Sequence, residues 1–132
     1  MDRPRILIAD DTLVAEAFKE LIEPDYQVIK VVTDGKTLLS AAVEIKPDVV
    51  LMDMDMSLRS GSETGLELKK LLPKTKVILL AMNDDPDVAS KALCQWSSGY
   101  LLKKSAGDEL KRAIGEVLRG HSYVTPSIVQ KL

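Results

Sequence analysis

The chain has 132 residues, of which 45% are hydrophobic and 29% charged, so it suits one folded domain and excludes a disordered chain. The chain has 18 Lys and Arg against 20 Asp and Glu. Its net charge of −2 gives no electrostatic basis for nucleic-acid binding by this chain alone. The single cysteine, Cys94, excludes an internal disulfide, and no apolar run exceeds residues 77–82, so we expect a cytoplasmic protein with no membrane partner.

Five short apolar runs mark the predicted strands. Four of them hold few or no polar residues, which is typical of strands buried on both faces of a parallel sheet. The second run carries Lys30 in its middle and is predicted to lie at a sheet edge. In chain order the runs are 6–9, 28–32, 49–52, 77–81 and 100–102.

The segments between and after these runs have helical periodicity. The predicted apolar faces are Val14, Ala17, Phe18 and Leu21 in the first helix, Leu38, Leu39, Ala42 and Val43 in the second, and Leu110, Ala113, Ile114, Val117 and Leu118 in the last. Asp85 is predicted to cap the fourth helix ahead of Pro86, and Ser105 to cap the fifth. The repeated strand–helix order predicts an α/β fold of the (βα)5 kind, with helices on both faces of a parallel sheet.

Charged side chains follow three of the predicted strands. Asp10 and Asp11 follow the first, Asp53 ends the third with Asp55 two residues on, and Lys103 follows the fifth. Because the carboxyl ends of parallel strands meet at one edge, we expect these groups to converge. Clustered carboxylates repel one another, and Mg²⁺ relieves that repulsion with oxygen ligands. A carboxylate beside Mg²⁺ can attack phosphorus while an ammonium neutralises the transferred group.

Three sequence runs carry a family resemblance. "ILIADD" at 6–11, "DVVLMDMDM" at 48–56 and "SGYLLKK" at 98–104 resemble response-regulator receiver domains (CheY-like), and most closely those of NarL/LuxR-type transcription regulators. The resemblance implies a receiver domain over residues 4–119 and the flavodoxin-like strand order 2-1-3-4-5. It also implies that residues 120–132 are a tail or a linker to an absent output domain, and we predict no sixth strand there.

The resemblance also implies a role for each charged residue. Asp53 would accept a phosphoryl group from a separate sensor histidine kinase. Asp10, Asp11, Asp53 and the backbone carbonyl of Asp55 would hold Mg²⁺, and Lys103 would contact the phosphoryl oxygens. Catalysis would be limited to self-phosphorylation and dephosphorylation. DNA would be reached only through the output domain, and a homodimer stays an open possibility.

Several positions depart from the family pattern. Ala81 stands where the family usually has Thr or Ser, whose hydroxyl grips the phosphoryl group. Tyr100 occupies the switching aromatic position, with core packing as the alternative. Ser57 replaces a proline, and the following residues 58–64 are predicted to form a longer, flexible loop. Trp96 is predicted to pack at the end of the fourth helix.

Two other functions remain open at this point. The first is a degenerate receiver, an interaction module whose output ignores phosphate, which Ala81 favours. The second is a phosphatase of the haloacid-dehalogenase kind, because Asp53 and Asp55 approximate its D-x-D signature, with Asp84 and Asp85 as a later acid pair. A purely structural alternative for the first acids is that Asp11 or Thr12 caps the first helix.

Overall fold

The computed structural model describes residues 3–10, 13–55, 61–82 and 84–131. The predictions for Asp11, Thr12 and Ser57 therefore lie outside the described residues. The strands are β1 (Arg5–Ala9), β2 (Gln27–Val32), β3 (Val49–Asp53), β4 (Lys76–Ala81), β5 (Gly99–Leu102) and β6 (Tyr123–Val124). The helices are α1 (Val14–Ile22), α2 (Gly35–Ile45), α3 (Gly61–Leu71), α4 (Pro86–Gln95), α5 (Lys103–Leu118) and α6 (Pro126–Val129).

The strands of the described chain form one parallel sheet in the order β2-β1-β3-β4-β5-β6. This confirms the predicted α/β fold and its 2-1-3-4-5 order. Each of the five predicted strands lies within one residue of its observed bounds, and β2 is the edge strand that Lys30 indicated. None of the helices in the described ranges combines the length and the apolarity needed to cross a membrane.

Two apolar cores cover the two faces of the sheet. Alternate strand residues point to opposite faces, so Leu7 and Met52 join one core, while Ile8 and Leu51 join the other. The first core packs against α2, α3 and α4, and the second against α1 and α5. The central strands are thereby buried on both sides, which fixes where their carboxyl ends can lie.

The predicted helix faces are confirmed in part. In α1 the buried residues are Ala15, Phe18 and Ile22, whereas Ala17 is exposed, so the predicted stripe was rotated. In α5 every predicted apolar residue is buried except Leu118. The short helix α1 contains two alanines, whose small side chains carry too little apolar surface to fix a helix face by pattern alone. The prediction was therefore less accurate for α1 than for the longer α5.

The helix starts also differ in their outcome. Asp85 caps α4 as predicted, because its carboxylate accepts a hydrogen bond from Asp87 N at 2.9 Å. The prediction for Ser105 was wrong: α5 begins at Lys103, directly after the extended Leu102. Ser105 instead lies inside the first turn and donates to Glu109 at 2.8 Å.

The C-terminal segment and the start of α3 overturn two further expectations. The prediction of no sixth strand was wrong, because Tyr123 and Val124 pair in parallel with Gly99 and Tyr100. A strand of two residues is too short to produce an alternating pattern that sequence reasoning could detect. Residues 61–64 were expected in a flexible loop, but α3 already begins at Gly61.

Trp96, at the end of α4, packs against α3. Its side chain is buried, as predicted, and lies over Gly65 so closely that a Cβ there would be 2.2 Å from the indole Cε3. A glycine is therefore required at this crossing. Gly107 in α5 offers a contrast, because an added Cβ there would meet nothing within 4 Å.

We predict that Gly65→Ala destabilises the fold by about 1–3 kcal/mol, since the added methyl must displace the indole. The matched variant Gly107→Ala should be neutral or stabilise by about 0.5–1 kcal/mol, as expected for alanine in an open helical position. Urea denaturation of both variants gives the comparison. Equal stability of the two would contradict the packing of Trp96 on Gly65.

Candidate functional site

The site is built at the carboxyl ends of β1, β3 and β5, with β4 lying between β3 and β5. The register pairs Ala9 with Met52 across β1 and β3, so Asp10 follows directly beside Asp53. On the other side of β4, strand β5 ends at Leu102 and α5 begins with Lys103. The parallel register thus delivers two acids and one lysine to the same edge, as the sequence predicted.

Lys103 bridges the two acids. Its Nζ lies 3.0 Å from Asp10 Oδ2 and 3.1 Å from Asp53 Oδ2. All three side chains are withdrawn from solvent, with exposed fractions of 8% for Lys103, 0% for Asp10 and 2% for Asp53. The ammonium therefore lies against both carboxylates in a space where water can do little to screen them.

The turn after β3 fixes the orientation of Asp53. The backbone N–H of Asp55 donates to Asp53 Oδ1 at 3.0 Å, and that of Met54 donates to Leu80 O at 2.8 Å. One carboxylate oxygen thus faces the turn and the other faces Lys103. The side chain of Asp55 is exposed, and the metal-binding role of its carbonyl stays a prediction.

The electrostatics of the site are dominated by burial. Burial raises the pKa of Asp53, and the Asp55 N–H and the Lys103 ammonium offset this only in part. Burial alone would lower the pKa of Lys103, but its hydrogen bonds to Asp10 and Asp53 and their charges together raise it. The lysine is therefore firmly cationic, while Asp53 is a carboxylate whose charge is incompletely compensated.

These residues fit a hard divalent cation. Their donor atoms are carboxylate oxygens, and the raised pKa of Asp53 indicates that Lys103 alone does not offset the burial of its charge. Within the described ranges no group of three or more His, Cys, Asp and Glu side chains is gathered, and the further predicted acid, Asp11, lies outside those ranges. The described part of the site thus supplies two of the predicted Mg²⁺ ligands.

Ala81 and Tyr100 lie beside the site in the adjoining strands. Ala81 ends β4, is 2% exposed and pairs with Leu102 in the sheet. Its methyl group offers no hydrogen bond to a phosphoryl oxygen. Tyr100 is fully buried in the core that also holds Ala89 and Ala92, which supports the packing alternative, and its switching role stays a prediction.

Sequence reasoning missed Thr125 and Glu109. Thr125 Oγ1 accepts a hydrogen bond from Leu102 N at 3.1 Å, directly beside Lys103. Glu109 accepts from Ser105 Oγ and from the Tyr123 hydroxyl, each at 2.8 Å. The available signal was weak: the apolar pairs Tyr123-Val124 and Ile128-Val129 are too short to predict an element of their own.

The single histidine of the chain lies far from the site. His121 Nδ1 is 2.7 Å from Glu116 Oε2, beyond the C-terminal end of α5. Since α5 has 16 residues, its two ends are about 24 Å apart, and Lys103 is at the opposite end. This separation agrees with a phosphodonor histidine on another protein.

Comparison with known proteins gives a consistent result. The response regulator receiver domain family matches residues 6–115. The transcriptional regulatory protein DegU of Brevibacillus brevis is 32% identical over 129 residues, covering 96% of this chain and 55% of DegU. A LuxR-family two-component response regulator from Aurantimonas sp. superimposes with a TM-score of 0.91 at 29% identity, covering 98% of this chain and 94% of that one. The NarL receiver domain of Mycobacterium tuberculosis gives a TM-score of 0.84 at 27% identity, covering 92% of this chain and 100% of that one.

The fold and the bridged acids define a receiver domain of two-component signalling. The chain belongs to the response regulator receiver domain family, and response regulators of the LuxR and NarL type are among its structural neighbours, which confirms the resemblance found in the sequence. Domains of this family generally use Mg²⁺ in phosphoryl transfer, interact with histidine kinases and are not enzymes in their own right. The chain spans 55% of DegU and 57% of YxjL of Bacillus subtilis, so it covers little more than half of these relatives.

We predict that Asp53→Asn stabilises the fold at neutral pH in the absence of divalent cations. Because burial raises the pKa of Asp53 from 3.8, the unfolded chain loses this proton first, and stability falls as pH rises through the folded pKa. Asparagine removes this cost and can still accept from Lys103. Thermal denaturation with a chelator should show a higher melting temperature for the variant than for wild type at neutral pH. This difference should disappear as the pH falls below the ordinary pKa of Asp. A variant less stable than wild type at neutral pH would contradict this account.

We also predict that Lys103→Met destabilises the fold by roughly 3 kcal/mol, since it leaves Asp10 and Asp53 buried without their shared cation. The control is Lys104→Met, because Lys104 is the adjacent, exposed lysine, and its loss should cost less than about 0.5 kcal/mol. Urea denaturation at neutral pH measures both. Similar losses in the two variants would show that the bridge adds no stability.

Proposed function

We propose that Asp53 accepts a phosphoryl group from the phosphohistidine of a sensor histidine kinase, with Mg²⁺ bound at the same strand ends. The observation that carries this proposal is the Lys103 bridge, which places an ammonium 3.1 Å from Asp53 Oδ2 and 3.0 Å from Asp10 Oδ2. This supplies a carboxylate nucleophile, a second acid and a cation within one buried cluster. It is the arrangement that phosphoryl transfer to a carboxylate requires.

The transfer is a displacement at phosphorus. A carboxylate oxygen of Asp53 forms a new O–P bond, the P–N bond to the donor imidazole breaks, and its electron pair stays on the departing nitrogen. Lys103 neutralises charge on the phosphoryl oxygens, because its ammonium already faces the nucleophile. The N–H of Asp55 holds the other oxygen of Asp53 and thereby orients the attacking one.

Mg²⁺ would be held by Asp10, Asp11, Asp53 and the backbone carbonyl of Asp55. When bound, it neutralises the clustered acids and the transferring group. Asp10 and Asp53 are the members of this set whose side chains the structure describes at the site. The raised pKa of Asp53 supports the assignment, since a further cation would favour its charged form.

The output of the domain is proposed to be transcriptional. Curated relatives such as DegU are transcriptional regulatory proteins of which this chain spans little more than half. We propose that this receiver likewise controls a DNA-binding output domain, linked through residues 120–132 or carried by a partner protein. DNA would be contacted by that output domain, and pairing of two receivers is one route by which phosphorylation could act on it.

We predict that a small phosphodonor with Mg²⁺ adds one phosphoryl group to the wild-type chain, measured by intact-protein mass. Asp53→Asn should abolish this gain, because it removes the nucleophile. Asp55→Asn is the matched control and should retain labelling, since it keeps both the backbone N–H and the carbonyl. Equal labelling of the Asp53→Asn variant would refute the assignment.

The degenerate receiver remains the second candidate, and Ala81 is the observation in its favour. A hydrogen bond to a charged group is worth roughly 1.5–3 kcal/mol, so a methyl group at this position weakens the coupling between phosphate and conformation at least several-fold. The same labelled protein separates the two functions by its oligomeric state and partner affinity. Phosphate on Asp53 without any change in either would favour the degenerate receiver.

A further inference from the structure

Residues 123–131 lie against the sheet edge next to the site, and we name this segment the C-terminal latch. Tyr123 N donates to Ser98 O at 3.1 Å, and Thr125 N donates to Tyr100 O at 3.0 Å, which attaches the latch to β5. Ile128 is fully buried in the core that contains Tyr100. The latch is therefore an integral part of the described fold.

One latch residue holds the backbone that carries the lysine of the site. Thr125 is 4% exposed, and its Oγ1 accepts from Leu102 N at 3.1 Å. Leu102 is the last residue of β5 and directly precedes Lys103. The position of the Lys103 backbone is thus tied to the position of the latch.

A second set of contacts ties the latch to the first turns of α5. Glu109 accepts hydrogen bonds from the Tyr123 hydroxyl at 2.8 Å and from Ser105 Oγ at 2.8 Å, and Thr125 Oγ1 lies 3.4 Å away. Because α5 begins with Lys103, a shift of its N-terminus would disturb these contacts. The helix start and the latch are therefore held together by side-chain hydrogen bonds.

The far end of the latch reaches the segment that follows β4. Lys131 forms an ion pair with Asp84, and this hydrogen bond holds the pKa of the Asp84 carboxyl below its usual value. Asp84 lies three residues after Ala81, on the approach to α4. The latch thus contacts the chain that follows β4, which ends at Ala81. It also contacts the end of β5, which Lys103 follows directly.

We propose that the C-terminal latch is a conformational coupling element whose docking favours the Lys103-bridged site and which a phosphoryl group on Asp53 loosens. This rests on the proposed function. A phosphoryl group adds negative charge between Lys103 and the two acids, so the ammonium must turn toward the new oxygens. That movement displaces Leu102 and the start of α5, which the latch contacts through the bond from Leu102 N to Thr125 Oγ1 and the bond from the Tyr123 hydroxyl to Glu109. Ala81 contributes no hydroxyl to this response, whereas the latch is bonded directly to Leu102 and to Glu109 of α5.

The first experiment follows hydrogen exchange of the amides of Leu102, Tyr123 and Thr125 in the full chain. Labelling with a small phosphodonor and Mg²⁺ should speed their exchange by about tenfold, a coupling of ordinary size for two linked sites. Asp53→Asn treated in the same way should show no change. Unchanged protection in protein whose mass confirms the phosphoryl group would overturn the proposal.

The second experiment needs no phosphate. Thr125→Val removes the acceptor for Leu102 N, and Lys103→Met removes the bridge, so the latch and the site should give non-additive unfolding constants, by about fivefold in a double-mutant cycle. The matched control is Thr75→Val, because Thr75 Oγ1 donates to Pro47 O at 2.8 Å near the amino-terminal ends of β3 and β4, away from the site. That pair should be additive with Lys103→Met.

The two experiments separate failure of the latch from failure of the proposed function. Additive effects of Thr125→Val and Lys103→Met would overturn the coupling, whatever happens at Asp53. Absence of any mass gain would count against phosphorylation of Asp53, while a non-additive cycle would still support the coupling. Non-additivity of Thr75→Val with Lys103→Met would also count against the latch, since it would make the effect general.

Discussion

The ammonium of Lys103 is the group on which the site depends. It lies within 3.1 Å of one oxygen on each of two buried carboxylates. Without it, Asp10 and Asp53 would lie in a space of low dielectric with no shared cation, and the pKa of Asp53 would rise further. An Asp53 that is protonated is a poor nucleophile, so the charge that stabilises the fold would also support the proposed role of Asp53 as phosphoryl acceptor. Lysine suits this position because its compact charge can turn from one oxygen to another.

This arrangement is a consequence of the sheet. Strands β1, β3, β4 and β5 are fully covered by helices on both faces, and their parallel register sets the ends level with one another. The acids and the lysine have no independent means of finding each other along the chain. Their proximity therefore depends on buried apolar residues such as Leu51 and Leu79, which lie two residues before the ends of β3 and β4 and help to hold these strands in place.

The sequence was sufficient for those features that depend on strong local patterns. Strands buried on both faces read as continuous apolar runs, so their ends were correct within one residue, and with them the convergence of Asp10, Asp53 and Lys103. The predictions that were wrong concern features that depend on contacts between distant segments. The Ser105 cap was wrong because α5 starts at the strand end itself, where the backbone of Leu102 is extended. The strand at Tyr123 and Val124 exists because β5 offers it an edge, and two residues carry no pattern of their own.

The difference between local sequence patterns and contacts across the fold also applies to Ala81 and the C-terminal latch. Ala81 could be identified from sequence as a missing hydroxyl, but its consequence depends on what else can respond to charge at Asp53. In the structure Ala81 is paired with Leu102, and Leu102 is bonded through its N–H to Thr125. Ala81 has no side-chain group that could respond to a displacement at Lys103, so the proposed route runs along β5 to the latch. The loss of one polar contact at the site then need not isolate the site from the rest of the molecule, because the neighbouring strand carries a second connection that ends on the segment after α5.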